Sequence, residues 1–331
     1  MSADDDDDIA AEARMMCCAS CGKSELDDVK LKECTDCKSV RYCSNECKEE
    51  HQPEHERKCK EWAAELRDEL LFRQPENRHL GDCPICCVPL PIEHEKSALK
   101  PCCSKWICKG CAHAHKQRQF EDNNQQTCPF CRHPLPKTIE EFYKIMMKRA
   151  EANDPVALCE LGERYHDKED YDGAFENFTK AAELGDVEAH FNLSVMYLKG
   201  EGVEKDEKKE IYYAEEAAIR GHLHARYNPG SLEESKGKAE RAVKHYTIAA
   251  NLGHDRSIQE LKEYYIHGDV SKEDFAVALR AHHAAVNATK SEQREAAEKA
   301  DPVAAGLVCD SYLRERQLHE TTFLSASSLD E

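Results

Sequence analysis

The cysteines of this chain are distributed so unevenly that they constrain its fold more than any other feature. Seventeen of the nineteen lie before residue 132, and only Cys159 and Cys309 follow. Most of the seventeen stand in pairs separated by two residues, a spacing that lets both sulfurs reach one metal ion. Because 331 residues exceed the usual size of a single domain, we expect two or three independently folded parts, with the sulfur chemistry confined to the N-terminal one.

Charge and hydropathy bear on the partners and the compartment of the protein. The formal net charge is −19, and the run Asp4 to Asp8 repels a phosphate backbone, so we expect no nucleic acid partner. No stretch of apolar residues suits a membrane-spanning helix, and the first thirty residues lack a secretion signal. We therefore expect a cytoplasmic and/or nuclear protein that is not secreted, whose cysteines bind metal rather than form disulfides. Residues 1–16 are predicted to be a disordered acidic start.

The first cysteine-rich segment supplies eight candidate metal ligands. They are Cys18, Cys21, Cys34, Cys37, Cys43, Cys47, His55 and Cys59. Zinc prefers thiolate and imidazole donors and takes four of them in a tetrahedral site, so eight ligands suffice for two closed sites. A segment this short cannot bury a sufficient core, and the metal has to supply the missing stability.

The order and spacing of these ligands, with the stretch from Arg41 to Ser44, resemble the MYND zinc finger, which we place at residues 17–59. The resemblance implies two interleaved sites. One would use Cys18, Cys21, Cys43 and Cys47, and the other Cys34, Cys37, His55 and Cys59. It also implies that the finger binds short, often proline-containing peptides and does not catalyse a reaction. Cys17 and His51 are interpreted as non-ligands. A helix and linker are expected over residues 60–81, with Pro75 ending the helix.

The second cysteine-rich segment, residues 82–136, again offers eight candidate ligands. They are Cys83, Cys86, Cys102, Cys103, Cys108, Cys111, Cys128 and Cys131. The pattern resembles the RING finger, which implies one zinc on Cys83, Cys86, Cys108 and Cys111 and another on Cys102, Cys103, Cys128 and Cys131. Neighbouring side chains of an extended segment point opposite ways, so the adjacent pair needs a tight turn. Alternatively His113 or His115 replaces one member of that pair, or the second site is incomplete.

The RING resemblance also implies contacts to a ubiquitin-conjugating enzyme. Ile85 and Pro129 match hydrophobic positions of that contact, and Arg132 matches the cationic residue that helps to orient ubiquitin. Phe120 stands where many active members carry tryptophan, which argues against ligase activity. A ligase of this class uses no nucleophile of its own, and we predict no catalytic residue.

Past residue 150 the apolar pattern becomes helical and repeats. Ala-Ala-x-x-Gly endings recur at Gly185, Gly221 and Gly253, a period typical of a solenoid of helix pairs. The unit that contains the Gly200 to Val203 turn resembles the Sel-like repeat, a relative of the tetratricopeptide repeat. We place this array at residues 137–287, with a degenerate last unit from His254, and expect Pro229 to bend or break its helix.

Several residues near the C-terminus receive simpler interpretations. His282 and His283 are predicted to lie at the surface, and Cys159 and Cys309 to be small core residues. Residues 288–331 are predicted to form an exposed helix containing Arg294, followed by a disordered tail.

The sequence thus predicts a multidomain protein with two small zinc-stabilised fingers, MYND and RING-like, followed by an all-α helical-repeat solenoid. About four structural zinc ions are expected. The favoured function is a scaffold whose MYND finger and repeats bind other proteins or peptides. The alternative is a RING-type ubiquitin ligase that recruits its substrate through the repeats.

Overall fold

The computed structural model describes residues 17–24, 29–122 and 125–300. The chain divides into two compact units, Met1–Arg73 and Gln74–Glu331, which are described separately. The expected acidic start, the expected tail and Cys309 lie outside the described residues.

The first unit combines a short hairpin with one long helix. Strands β1 (Lys32–Glu33) and β2 (Arg41–Tyr42) pair antiparallel, and helix α1 spans Asn45–Phe72. Ser44 caps the helix, its side chain accepting the N–H of Cys47 at 3.2 Å. The helix continues through Pro53, which is exposed to solvent, so that water can replace the hydrogen bond that proline removes. It ends three residues before Pro75.

The second unit begins with the second finger. A 3₁₀ turn (His94–Lys96) leads into the antiparallel hairpin of β3 (Ser97–Lys100) and β4 (Lys105–Cys108), and helix α2 (Lys109–Glu121) follows directly. Cys108 caps this helix, because its sulfur accepts the N–H of Cys111 at 3.4 Å. One residue therefore ends the hairpin and starts the helix, which fixes the direction of α2 relative to the strands.

The repeats form a run of helices joined by short loops. They are α3 (Ile139–Glu151), α4 (Pro155–Asp167), α5 (Tyr171–Glu183), α6 (Val187–Lys199), α7 (Glu207–Ile219), α8 (Leu223–Ser235), α9 (Ala239–Asn251), α10 (Asp255–His267), α11 (Lys272–Ala288) and α12 (Glu292–Ala300). Each junction between successive helical repeats contains a residue in the left-handed backbone region. These residues are Asn153, Gly185, Gly221 and Gly253. The periodic glycines of the sequence are therefore helix C-terminal positions, where glycine adopts positive φ at little cost.

Three of these four left-handed residues are followed by a residue whose side chain caps the next helix. Asp154 and Asp186 accept the N–H groups of Ala157 and Ala189 at 3.0 and 2.8 Å. His222 takes the same role, since its Nδ1 accepts the N–H of Ala225 at 3.0 Å. One helix thus stops and the next starts after three residues, the same short connection at every junction.

Packing between helices uses alanine where backbones approach and aromatic rings where they separate. Ala174, Ala181 and Ala189 are fully buried around Phe178. The next layer stacks Tyr197 on Tyr213, with ring centroids 5.6 Å apart. The apolar core of the array consists of successive clusters, each shared by neighbouring helices.

Of the two outcomes expected at Pro229, a bend or a break of its helix, the break is wrong, because α8 runs uninterrupted from Leu223 to Ser235. Residues on both sides of the proline pack closely against other helices. A Cβ added to Gly230 would lie 2.9 Å from the Tyr246 ring, and the buried Arg226 guanidinium donates to the Ala218 carbonyl at 2.8 Å. These contacts hold α8 against its neighbours on both sides of the proline, which itself removes one helical hydrogen bond.

Two surface predictions near the C-terminus also need correction. His282 is buried, and its ring bonds to Asp255 with 2.9 Å between Nε2 and Oδ1, whereas His283 is exposed. In α12 the glutamates are exposed, but Arg294 is buried against α2. A Cβ on Gly110 would lie 3.0 Å from the Arg294 Cα, so the close packing of these helices depends on that glycine. No helix among the described residues is long and apolar enough to span a membrane.

Candidate metal centres

The structure gathers the sixteen predicted ligand residues into four groups of four. Within each group the ligand atoms lie within 4.8 Å of one another. The groups are Cys18, Cys21, Cys43 and Cys47; Cys34, Cys37, His55 and Cys59; Cys83, Cys86, Cys108 and Cys111; and Cys102, Cys103, Cys128 and Cys131. In each finger the two groups interleave along the chain, so that the two sites together tie the whole segment.

Distances between sulfurs test whether these groups suit zinc. A tetrahedral site with Zn–S bonds of about 2.3 Å has edges of about 3.8 Å between sulfurs. In the first finger Cys21 to Cys43 and Cys43 to Cys47 measure 3.5 Å, and Cys34 to Cys59 measures 3.7 Å. These separations suit a shared ion, whereas a disulfide would require about 2.05 Å.

The ligand separations in the second finger, and those of the His55 imidazole in the first finger, also suit a zinc ion. Sulfur separations are 3.9 Å for Cys86 to Cys108, 3.7 Å for Cys103 to Cys128 and 3.2 Å for Cys102 to Cys131. In the first finger, the Cys37 sulfur lies 3.5 Å from the Nε2 of His55. The mixed edge of a zinc tetrahedron is about 3.6 Å. The donor atoms therefore fit structural zinc in both fingers.

One backbone turn builds four of the Cys-x2-Cys pairs. The carbonyl of the first cysteine accepts the N–H of the residue four positions later, and that residue adopts a positive φ. The bonds are Gly22 to Cys18 (2.9 Å), Lys38 to Cys34 (3.1 Å), Cys87 to Cys83 (2.8 Å) and Arg132 to Cys128 (3.0 Å). Cys87 and Arg132 thus occupy equivalent positions, directly after the second ligand of a turn.

The same turn points N–H groups at the first sulfur. Burial raises the pKa of the Cys18 thiol, but the N–H groups of Cys21, Cys43 and Ser20 lower it more, to about 6. Burial likewise opposes ionisation of Cys83, yet the N–H groups of the residues around it lower the pKa of this thiol to about 7. The backbone therefore favours the thiolate that zinc requires.

The adjacent cysteines of the second finger meet through a tight turn. Cys103 donates its N–H to the Lys100 carbonyl at 3.1 Å, and Ser104 has a φ of 52°. This turn lets both sulfurs join the group that contains Cys128 and Cys131. His115 instead bonds to the Thr127 carbonyl at 2.9 Å. Neither His113 nor His115 joins a metal-ligating group within the described residues.

The two spare residues of the first finger lie beside the ligands rather than among them. Cys17 forms an isolated bridge with Ser24. His51 bonds to the Tyr42 hydroxyl at 3.1 Å and stacks on His55, with ring centroids 5.6 Å apart. His51 therefore supports the ligand His55 by packing against it.

The residues assigned to a conjugating enzyme differ in exposure. Ile85 is 43% exposed, within the first turn of the second finger. Arg132 is exposed with a φ of 58°, and Pro129 is half-buried.

Sequence reasoning missed a cation that bonds to the second finger from outside it. Arg294 places Nη2 3.6 Å from the Cys86 sulfur and 3.0 Å from the Val88 carbonyl, while Nη1 donates to the Pro89 carbonyl at 2.7 Å. Burial lowers the pKa of Arg294, but the Cys86 and Cys108 sulfurs outweigh this and raise it. Nothing in the sequence connects residues about two hundred positions apart. Lys105, within the finger, lies with its Nζ 4.6 Å from the centroid of the Phe130 ring.

A fifth group, His79, Glu188 and His222, also clusters within 4.8 Å. The Nε2 atoms of His79 and His222 lie 3.4 and 3.2 Å from the Glu188 Oε2. However, the His222 Nδ1 accepts a backbone N–H, so Nε2 carries the proton of the neutral ring and has no lone pair for a metal. In this group the Glu188 carboxylate accepts a hydrogen bond from His222, with His79 beside it, and the group does not suit a metal ion.

Comparison with known families agrees with both parts of this architecture. The MYND finger model matches residues 18–59. The Sel1 repeat model matches three successive segments, residues 155–186, 187–222 and 227–254. The chain carries a MYND finger and Sel1 repeats. Both are protein–protein interaction modules, and the cysteine groups suit structural zinc. The RING-like character of the second finger depends on its cysteine groups alone.

Two curated relatives match short parts of the chain. Chitin synthase regulatory factor 4 of Schizosaccharomyces pombe is 33% identical over 85 residues, which cover 25% of this chain and 13% of that protein. A putative beta-lactamase, HcpC, of Helicobacter pylori is 41% identical over 56 residues, 17% of this chain and 19% of that protein. The chain thus spans a small part of either relative.

Solved structures similar to this chain include a Sel1 repeat protein from Oxalobacter formigenes, at 24% identity and a TM-score of 0.41. That match covers 58% of this chain and 86% of the other. The protective antigen c5321 of uropathogenic Escherichia coli, which has an SLR fold, matches at 22% identity with a TM-score of 0.36, over 57% of this chain and 39% of the antigen.

Proposed function

We propose that the protein is a scaffold with about four structural zinc ions, in which the MYND finger binds short proline-containing peptides and the Sel1 array binds a second protein. The observation that carries this proposal is that each cysteine group offers four protein ligands with tetrahedral spacing. A site closed by four protein ligands leaves no position for a substrate. Zinc would therefore hold the fingers in shape without taking part in a reaction.

The thiol chemistry supports a reducing compartment for this function. The described cysteines are unpaired by disulfides and converge on shared positions. Oxidising surroundings would convert such thiols to disulfides and displace the metal. We therefore place the scaffold in the cytoplasm or the nucleus.

Zinc counting and peptide selection together test the proposal. Purified protein should release about four zinc ions when its thiols are modified. Cys34→Ser should lower that number by about one, whereas Cys17→Ser, which changes a cysteine outside the groups, should not. Peptide libraries should yield proline-containing ligands with the zinc-loaded protein. Equal yields of these peptides from chelator-treated protein would contradict a metal-dependent peptide site.

Ubiquitin ligation is a second candidate function, favoured by the exposure of two residues of the second finger. Ile85 and Arg132 both belong to Cys-x2-Cys turns and both reach solvent. A RING-type ligase binds a charged conjugating enzyme through such residues, while its zinc ions remain structural. The Sel1 array would then recruit the substrate.

Discharge of ubiquitin from conjugating enzymes to lysine tests this candidate. Ile85→Ala and Arg132→Ala should each abolish discharge at unchanged zinc content. Cys87→Ala is the matched control for Arg132, because both residues follow the second ligand of a turn with positive φ. Failure of the wild-type protein with a broad panel of conjugating enzymes, at full zinc content, would remove ligation and leave the scaffold function untouched.

A further inference from the structure

A cavity of about 280 Å³ lies where the linker before the second finger, strand β4 and the first two repeats meet. Its lining combines acidic side chains with one indole ring. The side chains that matter are Trp106, His79, Glu160, Glu163, Asp186 and Glu188. Among the described residues that line the cavity, none is lysine or arginine. This distribution of charge favours a positively charged guest.

The carboxylates act on their surroundings as a concentrated negative charge. Burial, followed by repulsion from Glu188, raises the pKa of Asp186 to about 6. The buried Cys159 thiol responds to the same negative charge. Burial raises its pKa, and all four carboxylates of the cavity raise it further. A cation in the cavity would relieve the repulsion that these shifts report.

His79 provides an independent sign of a missing partner. Its side chain is nine-tenths buried, and neither ring nitrogen makes a hydrogen bond within the described residues. Buried polar atoms without a partner are uncommon and costly. Its Nε2 lies near the Glu188 carboxylate, so the ring is positioned beside the acidic wall. A donor entering the cavity would satisfy the other nitrogen.

The guest is unlike a metal ion. The four carboxylates do not gather within 4.8 Å of one another anywhere in the described residues, and the nearby His79, Glu188 and His222 group lacks a lone pair on its His222 Nε2. The negative charge is instead spread along the cavity beside an indole ring. An elongated, flat cation with several donors fits this arrangement better than a point charge.

We infer that this cavity binds an arginine side chain presented by a partner protein. The guanidinium would stack on Trp106 and donate to the carboxylates of Asp186 and Glu188, a pairing of planar cation, ring face and carboxylate that arginine forms more readily than lysine. The inference rests on the proposed scaffold function, since it names the chemistry by which the array recognises a partner.

Titration with N-acetyl-arginine methylamide tests the inference on the full-length, zinc-loaded protein. The chain has two tryptophans, so Trp62→Phe leaves Trp106 as the sole reporter of fluorescence. We expect saturable quenching at least tenfold tighter than with N-acetyl-citrulline methylamide, which has the same shape without the charge. Calorimetry on the wild-type chain provides a readout that does not depend on tryptophan.

Substitutions within and outside the cavity locate the binding. Asp186→Asn keeps a capping residue at the start of α6 while removing the charge, and should weaken binding about tenfold or more. Glu188→Gln should have a similar effect. Asp206→Asn is the matched control, because Asp206 caps α7 in the same way but does not line the cavity. Thermal unfolding of each variant establishes that the array remains folded.

Four outcomes would overturn the inference. These are equal binding of the citrulline compound, equal binding of the lysine counterpart, unchanged binding in both Asp186→Asn and Glu188→Gln, and saturable binding of calcium or magnesium that the same substitutions abolish. The titration needs no partner protein and no peptide on the MYND finger. A failure here is therefore distinguishable from a failure of the scaffold function.

Discussion

The MYND finger and the Sel1 array solve the same stability problem by different means. Four of the seven buried residues at the centre of the finger are its own ligands, Cys18, Cys34, Cys37 and Cys59. The array instead buries alanines, leucines and aromatic rings in a core that continues from one unit to the next. The finger thus depends on an ion, whereas the array depends on the burial of apolar surface.

Removal of zinc should separate the two regions most strongly. Structural zinc contributes on the order of 10 kcal/mol or more to small metal-dependent domains, so a chelator should unfold the first finger. The array has its own core and should keep its helices. Hydrogen exchange should show full exchange over residues 29–59 and retained protection over α4 to α9. Simultaneous loss of protection in α4 to α9 would contradict the comparison.

A cavity in the array core should have the next largest effect. Phe178 is 1% exposed, and its ring packs so closely on α4 that a Cβ on Gly162 would lie 2.7 Å from it. Phe178→Ala should lower the free energy of unfolding of the array by about 3 to 5 kcal/mol. Phe120→Ala is the matched control, because Phe120 is 82% exposed and its loss should cost less than about 0.5 kcal/mol. Chemical denaturation measures both.

Acid should weaken the array through two buried histidines. Burial lowers the pKa of His222 to about 4, and burial together with His224 lowers that of His254 to about 3. The unfolded chain takes up these protons near pH 6.5, so stability is present above that pH and is lost as pH falls toward the folded values. For His222 the loss is about 3 kcal/mol. Asp186, whose pKa is raised, opposes this trend by a smaller amount.

His222→Asn isolates that contribution, because asparagine can still cap α8 but does not titrate. The stability of the variant, followed by hydrogen exchange over α6 to α8, should fall less steeply than that of the wild type between pH 6.5 and 4. Identical slopes would show that His222 is not the group whose protonation weakens the array.

The smallest expected effect on stability concerns Pro229 in the array. Pro229→Ala restores a hydrogen-bond donor inside α8 and should raise the stability of the array by about 1 kcal/mol or more. The thermal midpoint of the array should rise accordingly. A lower midpoint would mean that the proline ring contributes more by packing than the lost donor costs.

The sequence alone determined the features that depend on local spacing. Two residues between cysteines allow one ion to bind both, and the recurring glycines mark helix ends because few other residues adopt positive φ without strain. The fingers and the helix pairs could therefore be predicted from neighbouring residues. The sequence also indicated the pairing of Cys102 with Cys103, but it left His113 and His115 as alternatives until the turn at Ser104 was known.

Only the tertiary structure decided the features that depend on distant contacts. Packing against Tyr246 accompanies an α8 that is continuous through Pro229, and His282 is buried where it bonds to Asp255. Arg294, about two hundred residues further along the chain, bonds to the turn at residues 87–89. The acidic cavity beside Trp106 likewise combines the linker, a strand and two repeats. Such contacts join residues far apart in the chain, and their strength depends on burial and on hydrogen-bond partners that no local pattern of residues encodes.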